Sequence, residues 1–435
     1  MERFANRGGN YNNTSNAGPS YCNFNNRRSN TNAFRPVFVG SLMYTVQGPY
    51  TGAFDKKSLV PSCKENKHFS GRPVGILRPP YRSSFIVKTY TNLWSRIIDF
   101  ESLLAAYRRA SKCKRYTRDV LMFTENLEEN LIQLQNEMVW KMYQPTPPRE
   151  FYITVPKRRL IAAPAFRDRV VHHALCAVIE PLLERRFIFD SYACRLGKGN
   201  HAGVARLQYF EKLAHEKWGS YYAYKGDIKG YFPSIPHDIL KRVIRSTIAD
   251  RDVLDLLDTI IDSSGVKGLP IGALTSQLMA NLYLDNLDHF VKETLQCKFY
   301  LRYMDDFVVL VPRKEEAKDI ESKISLYVED VLSLEMNPKS GIVKESNGIH
   351  FCGFRVWPTH ILPAKPAFRR AVRRLKHLAN QYGEGKISQK QARQSVMSFI
   401  AHYKHSNSQR SVQSALDKIV FKGAGYERDG SKNSA

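Results

Sequence analysis

The chain has 435 residues, of which 43% are hydrophobic and 11% aromatic, enough to bury two or three compact units; this excludes a fibrous or wholly unfolded class. A formal net charge of +25 and a pI of about 9.7 make a polyanion the first expected partner, with nucleic acid leading. The N-terminus is polar and Asn-rich, and no long apolar run follows it, so neither a membrane span nor a secretory signal is expected, and a cytoplasmic location is.

Residues 1 to 40 carry ten asparagines within the first 32 positions and show no hydrophobic period, which reads as a disordered tract. From 41 to 89, short apolar pieces broken by Pro and Gly predict a poorly structured spacer. Beyond residue 90 the pattern becomes helical: Phe100, Leu103, Leu104 and Tyr107 share one face, and Leu127, Leu131, Leu134 and Met138 share another. Pro145, Pro147 and Pro148 are expected to end the second helix. FYITVPKRRLIAAP then alternates as two short strands around Lys157 to Arg159, followed by a helix over 167–184, the basic loop SYACRLGKG and a helix over 201–217. YAYKGDI predicts a strand from Tyr222 to Ile228, and FYLRYMDDFVVLV predicts two apolar strands joined at a tight turn. Alternating strands and helices indicate a mixed α/β (α+β) architecture over 90–357. From Ala364 to Lys422 there are 13 Lys or Arg against two acidic residues. Ala371, Leu375 and Leu378 form an apolar stripe there, flanked by Arg369, Arg370, Arg373, Arg374 and Lys376, so 358–425 reads as a basic helical lobe suited to phosphate backbones, and 426–435 as a tail.

The seven cysteines are scattered without a CxxC pair, which fits reduced thiols and offers no zinc site. His172 and His173 point to different faces of a helix, as packing or surface residues rather than joint metal ligands. Asp305 and Asp306 stand at a turn, where Asp is commonplace. Their apolar flanks change the reading, because buried carboxylates need a nearby counter-charge and a divalent metal is the natural one. If Asp227 converges on the turn, three hard oxygen ligands suit two Mg²⁺ ions about 4 Å apart, with Mn²⁺ a possible substitute. Asp227, Asp305 and Asp306, with Ile228 beside the first, are the expected metal positions.

The order of Asp227 in GDIKGYF, then GLPIGALTSQLMANLYL, YMDD, LEMNPKSGI and GIHFCGFRVW resembles the successive palm motifs of reverse transcriptases over about residues 90 to 420. The resemblance implies a right-hand fold of fingers, palm and thumb, and RNA-templated DNA synthesis from dNTPs with catalytic Asp227, Asp305 and Asp306. It also implies roles for other residues. Lys157 and Arg159 would grip the triphosphate, Tyr231 or its neighbour Phe232 would exclude a ribose 2′-hydroxyl, and Lys339 would protonate the leaving pyrophosphate. Arg195 and Lys198, with Gly197 and Gly199, would form a loop for template or primer backbone.

A narrower resemblance rests on FESLLAAYRRASKCKRY, LEENLIQLQNEM, AAPAFRDRVVHHALCAVIEPLLERRFIFDSYACRLGKGNHAGV and PIGALTSQLMANLYL, which are similar to reverse transcriptases of diversity-generating retroelements. Most reverse transcriptases have Gln-Gly and Ser-Pro where this chain has Ile271-Gly272 and Ser276-Gln277. Relatives hold the incoming nucleotide partly through that Gln; Ile271 offers only apolar surface, which narrows the free-energy gap between right and wrong nucleotides, and ~1.4 kcal/mol is tenfold in selectivity. The resemblance implies error-prone copying at template adenines, an element-encoded template RNA, a cDNA primer strand and a small helical accessory protein as partners. Residues 1 to about 38 resemble a translated template repeat, with Met43 closer to the true start. The chain past Trp357 has room for a thumb only, so no RNase H, integrase or endonuclease unit is expected. The rival expectations are an ordinary-fidelity defence-associated or group II intron-like reverse transcriptase, and a non-catalytic RNA-binding scaffold; the intact carboxylates argue against the scaffold.

Overall fold

The expected hairpin after the proline segment forms: β1 (Arg149–Ile153) and β2 (Arg159–Ala163) pair antiparallel, with Ile153 opposite Arg159. The computed structural model describes residues 89–154 and 157–422, so the readings of the Asn-rich tract, of most of the spacer, of Met43 and of the tail lie outside the described residues. The central sheet contains β3 (Tyr222–Asp227), β4 (Tyr300–Tyr303), β5 (Asp306–Val311) and β6 (Gly341–Lys344), antiparallel in the order β4-β5-β3-β6. A third sheet, β7 (Ile349–Phe351), β8 (Phe354–Val356) and β9 (Ile361–Pro363), follows it.

The unbroken apolar run of β5 is explained by cover on both faces of the sheet. Alternate residues of a strand point to opposite sides. Tyr224, Phe307 and Val309 enter one core with helices Phe166–Glu184, Leu274–His289 and Lys314–Asp330. Ala223, Leu301, Val308 and Leu310 enter a second core, which helix Asn200–Trp218, the third sheet and the C-terminal helices complete. Helix Leu274–His289 runs through the first core and buries even Thr275, Ser276, Asn281, Asp285 and Asp288.

The two early helices form over Phe100–Ala110 and Leu127–Val139. The second ends earlier than its prolines suggest: Lys141 is left-handed (φ 57°), and the Met142 and Tyr143 N–H groups donate to the Glu137 carbonyl. A turned-back chain stops this helix before Pro145 could. His172 is buried with Nδ1 2.9 Å from Thr275 Oγ1, a packing role, and burial depresses its pKa to about 4. Cys176, Cys194, Cys297 and Cys352 are free thiols.

The basic lobe consists of helices Lys365–Gly383, Gln389–Tyr403 and Gln409–Asp417. Leu375, Ala379, Val396, Phe399, Val412 and Leu416 bury into the second core, while Ser388 and Gln391 make a reciprocal cap at the start of the middle helix. Among the described residues no helix is long and apolar enough to cross a membrane.

Candidate active site

Strand pairing brings the acidic residues together. Asp227, the last residue of β3, lies directly opposite Asp306, the first of β5, and Tyr303 of β4 lies opposite the same Asp306. Side chains directly opposite on antiparallel strands share a face with Cβ atoms about 5 Å apart. Asp227 and Asp306 are therefore neighbours, and the two-residue turn Met304-Asp305 adds the third carboxylate.

That turn is strained and supported. Met304 has φ 55°, a left-handed conformation that costs a non-glycine residue roughly 1–2 kcal/mol. Its carbonyl accepts a 3.0 Å hydrogen bond from Arg302 Nη1. Arg302 is wholly buried; its Nε and Nη2 donate to the equally buried Asp288 at 2.7 and 2.6 Å, and Tyr300 Oη donates to the same carboxylate at 2.7 Å. Nη1 also reaches Asn281 Oδ1 at 3.3 Å. The turn that carries Asp305 is thus braced on helix Leu274–His289 through a closed polar network.

Electrostatics mark Asp305 and Asp306 as needing positive charge. Burial and then Asp227 raise the Asp305 carboxyl, with Arg159 and Arg302 opposing. Burial, reinforced by Asp227 and Asp305 and opposed by Lys225, pushes Asp306 up to about 7. Lys225 Nζ stands 3.5 Å from Asp306 Oδ1, an ion pair by distance; that oxygen is buried and has no directed hydrogen bond. A buried carboxylate beside two others, with a single lysine at ion-pair distance, still fits a divalent cation. Among the described residues no group of three or more His, Cys, Asp or Glu side chains is placed to hold a metal ion by itself. Asp227, Asp305 and Asp306 would hold the ions, and Ile228, whose side chain is buried, could contribute only its carbonyl. Bound there, divalent metal supplies charge for nucleotidyl transfer.

The other expected residues divide. Arg159 opens β2 and acts electrostatically on Asp305; Lys157 is exposed at the hairpin tip. Tyr231 is buried with Oη 2.5 Å from the Ala280 carbonyl, so it is the one that packs, and half-buried Phe232 remains as the candidate gate. The Ile271 carbonyl accepts from the Ala162 N–H at 3.0 Å, joining palm to β2. Gly272 (φ 135°) permits this approach, since a Cβ there would lie 2.8 Å from the Ala162 carbonyl oxygen. Gln277 has a buried Oε1 without a hydrogen bond. Lys339 is exposed, as are Arg369, Arg370, Arg373 and Arg374 along one helix.

Arg195 is a correction. Its side chain is 6% exposed, with Nε and Nη2 on Glu184 and Nη1 on the carbonyls of Ile188 and Ser191 at 2.6 and 2.8 Å. A guanidinium with its donors committed internally is a loop brace, not a phosphate contact. Lys198 Nζ donates to the Phe189 carbonyl at 2.6 Å and lies over the Phe189 ring. Sequence reasoning missed Lys225, Arg302 and Asn337. Lys225 had a signal, being two residues before Asp227 and so on its face of β3; Arg302 had another, as a charge inside an apolar strand.

A palm sheet with one carboxylate on β3 and two at the adjoining turn, a basic hairpin before it and a helical lobe after it define a right-hand polymerase. Residues 153–356 match the family described as Reverse transcriptase (RNA-dependent DNA polymerase). That match covers a little under half of the chain and likens this segment to a reverse-transcriptase domain. It is similar to Protein YkfC of Escherichia coli, 27% identical over 54% of this chain and 73% of that protein. It is also similar to Group II intron-encoded protein LtrA of Lactococcus lactis, 22% identical over 62% of this chain and 57% of that one. Among solved structures, telomerase from Candida tropicalis in complex with a fragment of telomeric RNA has a TM-score of 0.42 and 13% identity, over 67% of this chain and 58% of that chain.

Proposed function

We propose that this chain is an RNA-directed DNA polymerase that makes error-prone cDNA, mutagenised at template adenines, from an element-encoded RNA in order to diversify a target gene. The observation that carries the reading is Ile271: an apolar side chain on the segment bonded to β2, where relatives of the resembled family place an amide against the incoming nucleotide. Without that polar contact, fewer interactions distinguish a correct base pair from a wrong one. The ligands of this reading are Mg²⁺, dNTPs, template RNA and a primer or cDNA strand, with a small helical accessory protein and a cytoplasmic setting. Lys157 and Arg159 would hold the triphosphate, Lys339 would serve as general acid, Lys198 and the four exposed arginines of helix Lys365–Gly383 would contact nucleic acid, and Phe232 would act as the sugar gate.

Primer extension on the chain's own RNA, with the accessory protein present, followed by product sequencing, tests the reading. Errors should cluster at template adenines and fall in Ile271→Gln. Accurate copying at adenines sinks it and leaves the polymerase class standing. A second reading is an ordinary-fidelity, group II intron-like reverse transcriptase, favoured by the similarity to LtrA; uniform low error across all four template bases is its signature.

A further inference from the structure

The turn between helix Lys314–Asp330 and β6 grips Asp227 from several sides. Asn337 Nδ2 donates to Asp227 Oδ2 at 2.5 Å, and the Asn337 N–H donates to the Asp227 carbonyl at 2.8 Å. Ser340 Oγ accepts from the Asp227 N–H at 3.0 Å and donates to the Asp227 carbonyl at 3.2 Å. The orientation of the Asn337 amide is decided by its other end, because Oδ1 accepts from the Lys339 N–H at 3.1 Å. Only an oxygen can accept there, so the group facing Asp227 is the NH₂.

The residue type matters as much as the contact. Asp227 stands directly opposite Asp306 and beside the turn that carries Asp305, so it already faces two like charges. A lysine at 337 would neutralise Asp227 and compete with a bound cation, and an aspartate would add a fourth repelling charge. A neutral amide fixes the plane of the carboxylate, satisfies Oδ2 and leaves Oδ1 outside the clamp. We infer that Asn337 is a positioning residue for polymerisation, holding Asp227 in the rotamer that receives divalent metal. This inference rests on the polymerase class and is independent of the error-prone reading.

The test uses the full chain with Asn337→Ala and with Asn337→Leu, which keeps the branched shape of the side chain but has no donor. Mn²⁺ binding to the enzyme with a primer–template duplex, followed by electron paramagnetic resonance, is the readout separate from activity. Partners of metal ligands typically contribute about 10- to 100-fold in metal affinity or activity, so Mn²⁺ binding should weaken by about tenfold or more in both variants. The Mg²⁺ concentration for half-maximal extension should rise by a similar factor, while duplex affinity and the dNTP KM stay within about twofold of the unaltered chain. A folded variant with unaltered Mn²⁺ binding and Mg²⁺ dependence overturns the inference, and so does loss of duplex affinity in step with metal affinity, the mark of a purely structural turn. If the unaltered chain extends no primer on RNA, the polymerase assignment fails, and Mn²⁺ binding still judges Asn337.

Discussion

Arg302→Met tests the brace beneath the Met304-Asp305 turn. The substitution removes a wholly buried guanidinium and leaves Asp288, also 0% exposed, charged with only Tyr300 Oη still donating to it. Breaking a buried ion pair by removing one partner costs about 3–5 kcal/mol. Met304, at φ 55°, also loses the donor on its carbonyl. Urea unfolding should report the stability loss, and primer extension at a concentration of urea where the variant is fully folded should fall by about tenfold or more, as expected when a fixed geometry is relaxed. The double variant Arg302→Met with Asp288→Leu separates the effects. Replacing a whole buried pair by apolar groups is often neutral, so stability should return while extension does not, because the Met304 carbonyl is still unheld. A single variant as stable as the unaltered chain, or a double variant that regains full extension, would refute the reasoning.

Other expectations follow from single contacts. Glu211 is fully buried with both carboxylate oxygens unpartnered, and burial pushes its pKa up to about 8. Its folded pKa lies above the unfolded value of about 4.3, so the native state binds the proton more tightly; stability is intact below pH ~4.3, falls as pH rises toward about 8, and Glu211→Gln should flatten that fall by a few kcal/mol in denaturation at pH 9 relative to pH 6. An unaltered pH slope in the variant would count against burial as the cause. Phe232→Ala should raise ribonucleotide incorporation, whereas Tyr231→Phe should cost about 1 kcal/mol of stability for its lost bond and leave sugar selection alone; the reverse pattern in dNTP/rNTP competition would return the gate to Tyr231. Gly226 lies opposite Phe307, and a Cβ there would stand 2.1 Å from the ring. Gly226→Ala should therefore cost about 1–3 kcal/mol through overpacking and displace the adjoining Asp227, seen as reduced extension beyond the loss in folded protein.

Local pattern was most readable where one residue type dominates a short stretch. The helical spacing of Phe100 to Tyr107 and the apolar strands around YMDD appear in the fold because period and burial act over a few residues. The end of the second helix was misread because a left-handed Lys141 leaves no compositional mark as clear as a proline. Arg195 was read by charge alone; its partners Glu184, Ile188 and Ser191 come together only when the loop folds back on its helix.

Composition and motif order already contain the available chemistry: three carboxylates in ordered motifs, a basic chain and an apolar Ile271. How those carboxylates are held depends on the folded chain. Strand register set Asp227 opposite Asp306. Burial raised Asp305 and Asp306, and Arg302, Lys225 and Asn337 reached the site from a strand interior, the Asp227 face of β3 and a distant turn. The physical reason is range: composition and period act along the chain, whereas desolvation, ion pairing and hydrogen-bond direction depend on residues roughly 80 to 110 positions apart in sequence meeting within 4 Å.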